Sequence, residues 1–320
     1  MERYLNRCLD SLLVSKENMR KLEVLVINDG SKDASSDIAH EYERRYPEIF
    51  YVIDKLNGNY GSCINTALKI ANGKFVKVLD ADDYFDTSSF NKLFPRLENT
   101  NTDAIITVHT TININKRSTS NYSYHDGQTI NLKETCPEYF SMHNLIYKLE
   151  LLREINYKQT EGISYTDQEW IFYPILHAQT LTFYNLNIYQ YVLGREGQTM
   201  NELTIRKNIQ AIESIIKRML IELIEIGKEL NTSYKIYAER TIYIQMGLIY
   251  KTELIMLPKE DSHMQQLSEL EQLIKTFDAS YYHSFNKIRI KKIPYVFLYR
   301  KKLIFNNIFR CLIKKFINKS

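Results

Sequence analysis

Apolar positions in the first hundred residues follow two alternating rhythms. Tyr4, Leu5, Cys8, Leu9, Leu12 and Leu13 recur at helical spacing over residues 2–14, which predicts an amphipathic helix. Leu22 to Ile27 is a short, mostly apolar run that ends in Asn28-Asp29-Gly30-Ser31, the pattern of a buried strand feeding a turn. Ser31 or Asp33 is placed to cap a helix running to about Arg45. Phe50 to Ile53 reads as a second strand, residues 61–72 as a helix and Phe75 to Leu79 as a third strand. Residues 88–98 read as a helix and Ala104 to Val108 as a fourth strand. Strands alternating with helices predict a parallel sheet covered on both faces.

The rhythm breaks after residue 109. Thr110 to Gln128 is polar with scattered β-formers, which fits short strands or a loop. Residues 137–155 and 167–178 read as helices, the second with Trp170, Ile171 and Leu176 available for packing. Leu181 to Tyr184 and Ile188 to Val192 have strand character. From residue 202 to about 280 the chain is rich in Ile, Leu, Lys and Glu, so two or three long helices are predicted, with Pro258 at one join. The expected division is residues 1–200, a helical region 201–285 and a tail 286–320.

Charge sharpens this division. Residues 287–320 contain eleven Lys or Arg and no Asp or Glu; the other 31 Lys and Arg face 38 Asp and Glu, a net −7. A mildly acidic body with a basic end suits contact with an anionic surface. The four cysteines, Cys8, Cys63, Cys136 and Cys311, form no C-x-x-C pair, which excludes zinc-ribbon spacing and a disulfide framework and fits a reducing cytoplasmic setting. No run reaches the roughly 18 apolar residues that a bilayer span needs.

Candidate chemistry lies at the strand ends. Asp80-Ala81-Asp82-Asp83 closes the third strand, and ligands of open α/β sheets sit beyond such ends. Strand alternation puts Asp80 and Asp82 on one side, about 7 Å apart. Clustered carboxylates suit a hard divalent cation, which would bridge a diphosphate leaving group; a solvated acidic turn, with Asp83 capping the next helix, is the alternative. Asn28-Asp29-Gly30-Ser31 stands at the matching level, where Asp29 could accept from a base or ribose and Gly30 allows close backbone approach. An ordinary turn and N-cap is the alternative there.

These segments together resemble the family 2 glycosyltransferases of the GT-A fold. The likeness runs through Val26-Ile27-Asn28-Asp29-Gly30-Ser31-Lys32-Asp33-Ala34-Ser35, Asn57-Gly58-Asn59-Tyr60-Gly61-Ser62-Cys63-Ile64-Asn65, Ala71-Asn72-Gly73-Lys74-Phe75 and Val78-Leu79-Asp80-Ala81-Asp82-Asp83. It implies an α/β GT-A domain followed by a mostly helical region. It implies that Asp29, Gly30, Asn57, Asn65 and Asp80 face a nucleotide sugar, and that Asp82, with Asp83, holds Mn2+ or Mg2+. Asp167 in Tyr165-Thr166-Asp167-Gln168-Glu169-Trp170 then takes the place of the base that deprotonates the acceptor; capping the helix that starts there is its other reading. Arg195 in the Tyr191 to Gln198 stretch could pair with phosphate oxygens; an ordinary surface Arg is its other reading. Cys63-Ile64-Asn65 stands where relatives carry Ala-Arg-Asn, so a cation expected near the diphosphate is missing. The seven histidines show no metal spacing and read as structural or exposed.

The resemblance also implies a reaction: transfer from a nucleoside-diphosphate sugar, most simply a UDP-sugar, to a glycan or lipid-linked acceptor with inversion, as in cell-surface polysaccharide synthesis. Relatives begin with an apolar strand ahead of the helix that opens here at Met1. We therefore expect the natural start to lie upstream, with Met1 internal, since a missing central strand leaves two neighbouring edges open. The rival function is a truncated, inactive subunit that binds a nucleotide or a membrane. In the tail, Ile290, Phe297, Ile304, Phe305, Phe309 and Phe316 are interleaved with lysines and arginines. This suits an amphipathic contact with the inner face of the cell membrane through residues 287–320, with packing on the domain as the alternative. No nucleic-acid motif accompanies the charge.

Overall fold

The computed structural model describes residues 1–114, 116–194, 202–257 and 261–303. They fall into two compact units, Met1–Gln198 and Thr199–Ser320.

In the first unit α1 (Glu2–Asp10) and α2 (Lys16–Met19) precede β1 (Val24–Asp29), α3 (Ser35–Arg45), β2 (Phe50–Lys55) and α4 (Asn59–Ile70). Then come β3 (Phe75–Val76), β4 (Tyr84–Phe85), α5 (Thr87–Glu98), β5 (Ala104–Asn113), β6 (Lys116–Thr119) and β7 (Thr129–Asn131). The unit closes with β8 (Leu145–Lys148), α6 (Leu149–Glu154), α7 (Asp167–His177) and β9 (Thr180–Val192). Leu5, Cys8 and Leu9 of α1 turn inward, as the helical spacing requires. Leu5 and Leu9 join a core with Ala39, Tyr42, Phe50, Phe85, Phe90, Leu93, Phe94 and Tyr189.

The predicted single parallel sheet is instead two sheets, one of them mixed. β1 and β2 pair in parallel from Val24↔Phe50 to Asp29↔Lys55. The second sheet has the order β3-β8-β5-β9-β4, with β6 on β5 and β7 on β9. Only β5 and β9 run parallel in it; β3–β8, β5–β8 and β4–β9 are antiparallel. The difference traces to residues 137–155, of which only Leu149–Glu154 (α6) is α-helical. Leu145–Lys148 is a strand set between β3 and β5, and Leu145, Ile146 and Tyr147 are buried there. Burial between two strands outweighs the helical spacing of a short apolar run. The two β-like runs after residue 180 are a single strand, β9.

Only Phe75 and Val76 of the predicted third strand pair with a neighbour; residues 77–80 carry no strand assignment. β1 has a partner on one edge only among the described residues. Its six residues, and Phe75 to Leu79, are only partly buried, although apolar strands of a parallel sheet are normally covered on both faces.

The second unit contains α8 (Glu202–Lys207), α9 (Ile209–Ile226), α10 (Thr232–Lys251), α11 (Asp261–Phe277), α12 (Ala279–Ser284) and α13 (Tyr295–Arg300). Ile209, Ile212, Ile216, Met219, Leu220 and Leu223 of α9 form one buried stripe, matched by Tyr237, Ala238, Ile242, Met246 and Ile249 of α10. The described part of the basic tail packs on this unit. Tyr295 and Val296 are buried, and Arg300 pairs with Glu271 at 2.7 Å and bonds the carbonyl of Tyr282. Residues 304–320 lie outside the described residues. Among those described, no helix is long and apolar enough to cross a membrane.

Candidate active site

Asp80 and Asp83 sit past the end of β3. Because β8 runs antiparallel to β3, with Phe75 opposite Lys148 and Val76 opposite Tyr147, the turn before β8 is carried to the level of Asp80. That turn, Met142–Asn144, delivers His143. One ligand atom from each of Asp80, Asp83 and His143 lies within 4.8 Å of the others. His143 thus stands with the two carboxylates, although the histidines show no metal spacing along the chain. The signal lay in the pairing of distant strands, so local spacing could not reveal it.

The electrostatics suit a cation. Burial, and then the charges of Asp83, Asp82 and Asp167, push the Asp80 carboxyl well above its ordinary range. The His143 imidazole is held down to about 3, chiefly by burial, so its ring is neutral and can ligate. Its ring stacks on Tyr191 at 4.2 Å between centroids and lies 4.6 Å from Tyr189. Asp83 is almost fully buried. Its Oδ2 accepts from the Tyr189 hydroxyl at 2.8 Å and its Oδ1 from the Val192 amide at 2.8 Å. Asp82 lies in the same turn, and its carbonyl accepts from Arg7 at 3.0 Å, but it is not one of the three residues whose ligand atoms converge. Beneath them Lys77 donates to the His143 carbonyl at 2.8 Å, and its ammonium is pushed down to about 7 by burial.

Asp167 is the first residue of α7; Thr166 holds the N-cap position without a side-chain cap bond. Burial raises the Asp167 carboxyl to about 6, opposed by bonds from the Gln168 side chain and from backbone amides. Gln168 Nε2 donates to Asp167 Oδ2 at 2.9 Å. The charge of Asp167 helps raise the Asp80, Tyr60 and Tyr191 groups, so it acts electrostatically on the acidic cluster.

The loop before α7 is clamped from two sides. Asn65 donates to the Gln159 carbonyl at 2.9 Å and to Glu161 at 2.8 Å, and accepts from the Gln159 amide at 2.9 Å. Its amide therefore grips this loop. Gly61 makes the approach possible: a Cβ there would stand 2.0 Å from the Thr160 carbonyl oxygen. On the other side the fully buried Glu169 accepts from the Thr160 amide at 2.7 Å and its hydroxyl at 2.8 Å. Glu169→Ala removes the buried acceptor of both bonds and is expected to cost about 3 kcal/mol, read as a lower urea midpoint at unchanged m-value.

Asp29 and Gly30 form a second cluster. Gly30 has φ +74, and a Cβ on it would lie 3.2 Å from the Asn57 amide nitrogen, so the turns after β1 and β2 close on each other. Asn57 itself is exposed. Asp29 Oδ1 accepts from Lys55 Nζ at 2.5 Å and from the Gly58 amide at 2.9 Å. The sequence reading passed over Lys55. Arg195 lies outside the described residues.

An α/β unit with carboxylates grouped beyond its strand ends has the form of a site for a cation and a phosphorylated ligand. Residues 2–157 match the family described as glycosyl transferase family 2. The uncharacterized glycosyltransferase MG025 of Mycoplasma genitalium is 44% identical over 92 residues, 28% of this chain and 30% of the relative. The poly(ribitol-phosphate) beta-glucosyltransferase of Bacillus spizizenii is 24% identical over 203 residues, 62% of this chain and 32% of the relative. The crystal structure of S. aureus TarS 1-349 in complex with UDP-GlcNAc matches with a TM-score of 0.66 at 17% identity. That match covers 100% of this chain and 89% of that one, and is a likeness of fold. The chain thus spans about a third of the length of these curated relatives. The match to glycosyl transferase family 2 lies within its first unit, which has the GT-A fold.

Proposed function

We propose that this chain transfers a sugar from a UDP-sugar to a hydroxyl of a cell-surface glycan or lipid-linked polymer, with inversion at the anomeric carbon. The observation that carries the reading is the gathering of Asp80, Asp83 and His143, with Asp167 acting electrostatically on Asp80. Two carboxylates and a neutral imidazole are a donor set for Mn2+ or Mg2+, with Asp82 in the same turn. A divalent cation held there would offset the charge of the departing diphosphate. Asp167 takes the proton of the attacking hydroxyl. Its raised pKa makes it a stronger base than an exposed carboxylate while leaving it ionised near neutrality. The clamped loop 159–161 and buried Glu169 hold the start of α7, and so Asp167, in place.

The UDP-GlcNAc complex of the fold relative and the poly(ribitol-phosphate) acceptor of a sequence relative support a UDP-sugar and a surface-polymer acceptor. The basic tail is read as resting on an anionic membrane surface from the cytoplasmic side. Calorimetric titration with UDP tests the reading: binding is expected, tightened at least roughly tenfold by Mn2+, and the Mn2+ effect is expected to shrink in His143→Ala. Absence of UDP binding with and without Mn2+ sinks it. The rival reading, an inactive nucleotide-binding subunit, draws on β1 having a single partner strand among the described residues. UDP binding without turnover of any nucleotide sugar would decide for it.

A further inference from the structure

Asp29 and Lys55 are the last residues of β1 and β2 and stand opposite each other in the parallel register. The Lys55 ammonium reaches three oxygens: Asp29 Oδ1 at 2.5 Å, the Leu56 carbonyl at 2.6 Å and Ser62 Oγ at 2.7 Å. Three acceptors use all three of its hydrogens, so it has none left to offer a ligand. Asp29 Oδ1 also receives the Gly58 amide. Beside the carboxylate lies the Cys63 thiol, kept neutral because burial and the Asp29 charge push it up to about 11; a thiol is a weak donor. The carboxylate is thus rotationally fixed, with Oδ1 committed to the two strong donors and Oδ2 opposed by nothing stronger than the weak Cys63 thiol, which a ligand N–H displaces.

We infer that Lys55 is a positioning residue that turns Asp29 into a single-acceptor reader of the donor's base, selecting uracil over guanine. This rests on the proposed nucleotide-sugar site. Uracil presents one N–H, at N3, flanked by two carbonyls. Guanine presents N1–H together with its amino group and fits a carboxylate with both oxygens available. Cytosine has no hydrogen at N3, so its lone pair would face the carboxylate. An ammonium that occupies Oδ1 therefore favours uracil and leaves the guanine amino group unpaired in the cleft, a penalty of the kind that gives hydrogen-bonding sites their discrimination.

The test is calorimetric titration of the full chain with UDP, GDP and CDP, each with Mn2+, for wild type, Lys55→Met and Lys55→Arg. Wild type is expected to prefer UDP to GDP by at least roughly tenfold. Lys55→Met is expected to narrow that ratio about tenfold, and Lys55→Arg, which keeps a cation beside Oδ1, to retain most of it. A merely structural role for Lys55 would weaken all three nucleotides alike. An unchanged UDP-to-GDP ratio in a folded Lys55→Met overturns the inference while leaving the proposed function standing. If wild type binds no nucleotide, the two fall together.

Discussion

Replacing Asp167 with Asn is expected to lower the turnover number for sugar transfer by roughly 1,000-fold, within the range that general bases contribute, while UDP affinity changes little. Asn keeps the shape and the bond from Gln168 but cannot take a proton. The carboxyl is raised to about 6, mainly by burial, which fixes the pH dependence. Only the ionised form accepts the acceptor's proton, so kcat/KM should fall tenfold per pH unit below about 6 and level off above it. The same shift has a thermodynamic side. The folded-state pKa lies above the unfolded one, so this group favours the folded state below about pH 4, and that contribution is lost as pH rises through 6. Asp167→Asn should therefore melt higher than wild type at pH 8. An acidic limb that persists unchanged in Asp167→Asn, or transfer that survives the substitution, would remove Asp167 from the role of base.

The place of Asp167 was legible because it opens a helix within a short recognisable stretch, as Asp29 closes a strand and Asp80 follows one within theirs. Local order in the chain carried these positions directly. His143 and Lys55 were not legible for the same reason turned round. His143 reaches Asp80 through the antiparallel pairing of β8 with β3, strands some seventy residues apart in the chain. Lys55 reaches Asp29 through the register of two parallel strands. Neither pairing leaves a mark on the sequence nearby. Residues 137–155 misled for a related reason: Leu145, Ile146 and Tyr147 have the apolar character of a helix face, and only their neighbours β3 and β5 make them a strand. The missing cation at Ile64 also looks different with the structure in view, since Lys55 brings a positive charge to the same loop from β2.

Asp80→Asn should act in opposite directions on the empty protein and on the cation-loaded one. Without a cation, Asp80 is a buried carboxyl pressed by Asp83, Asp82 and Asp167, so its charge opposes folding and a neutral isostere relieves it. The variant should then melt higher than wild type in the presence of a chelator. With Mn2+ the order reverses. A ligand that binds only the folded state raises its stability by mass action, and removing one of two carboxylates from the Asp80, Asp83 and His143 set should weaken Mn2+ binding roughly 100-fold or more. Asp80 is the better position to test, because both oxygens of Asp83 already hold Tyr189 and Val192, and an amide there would set a donor against one of those donors. Melting curves of wild type and Asp80→Asn across a Mn2+ titration should therefore cross. Parallel curves, with Mn2+ stabilising both proteins equally, would show that the cation is held by other residues.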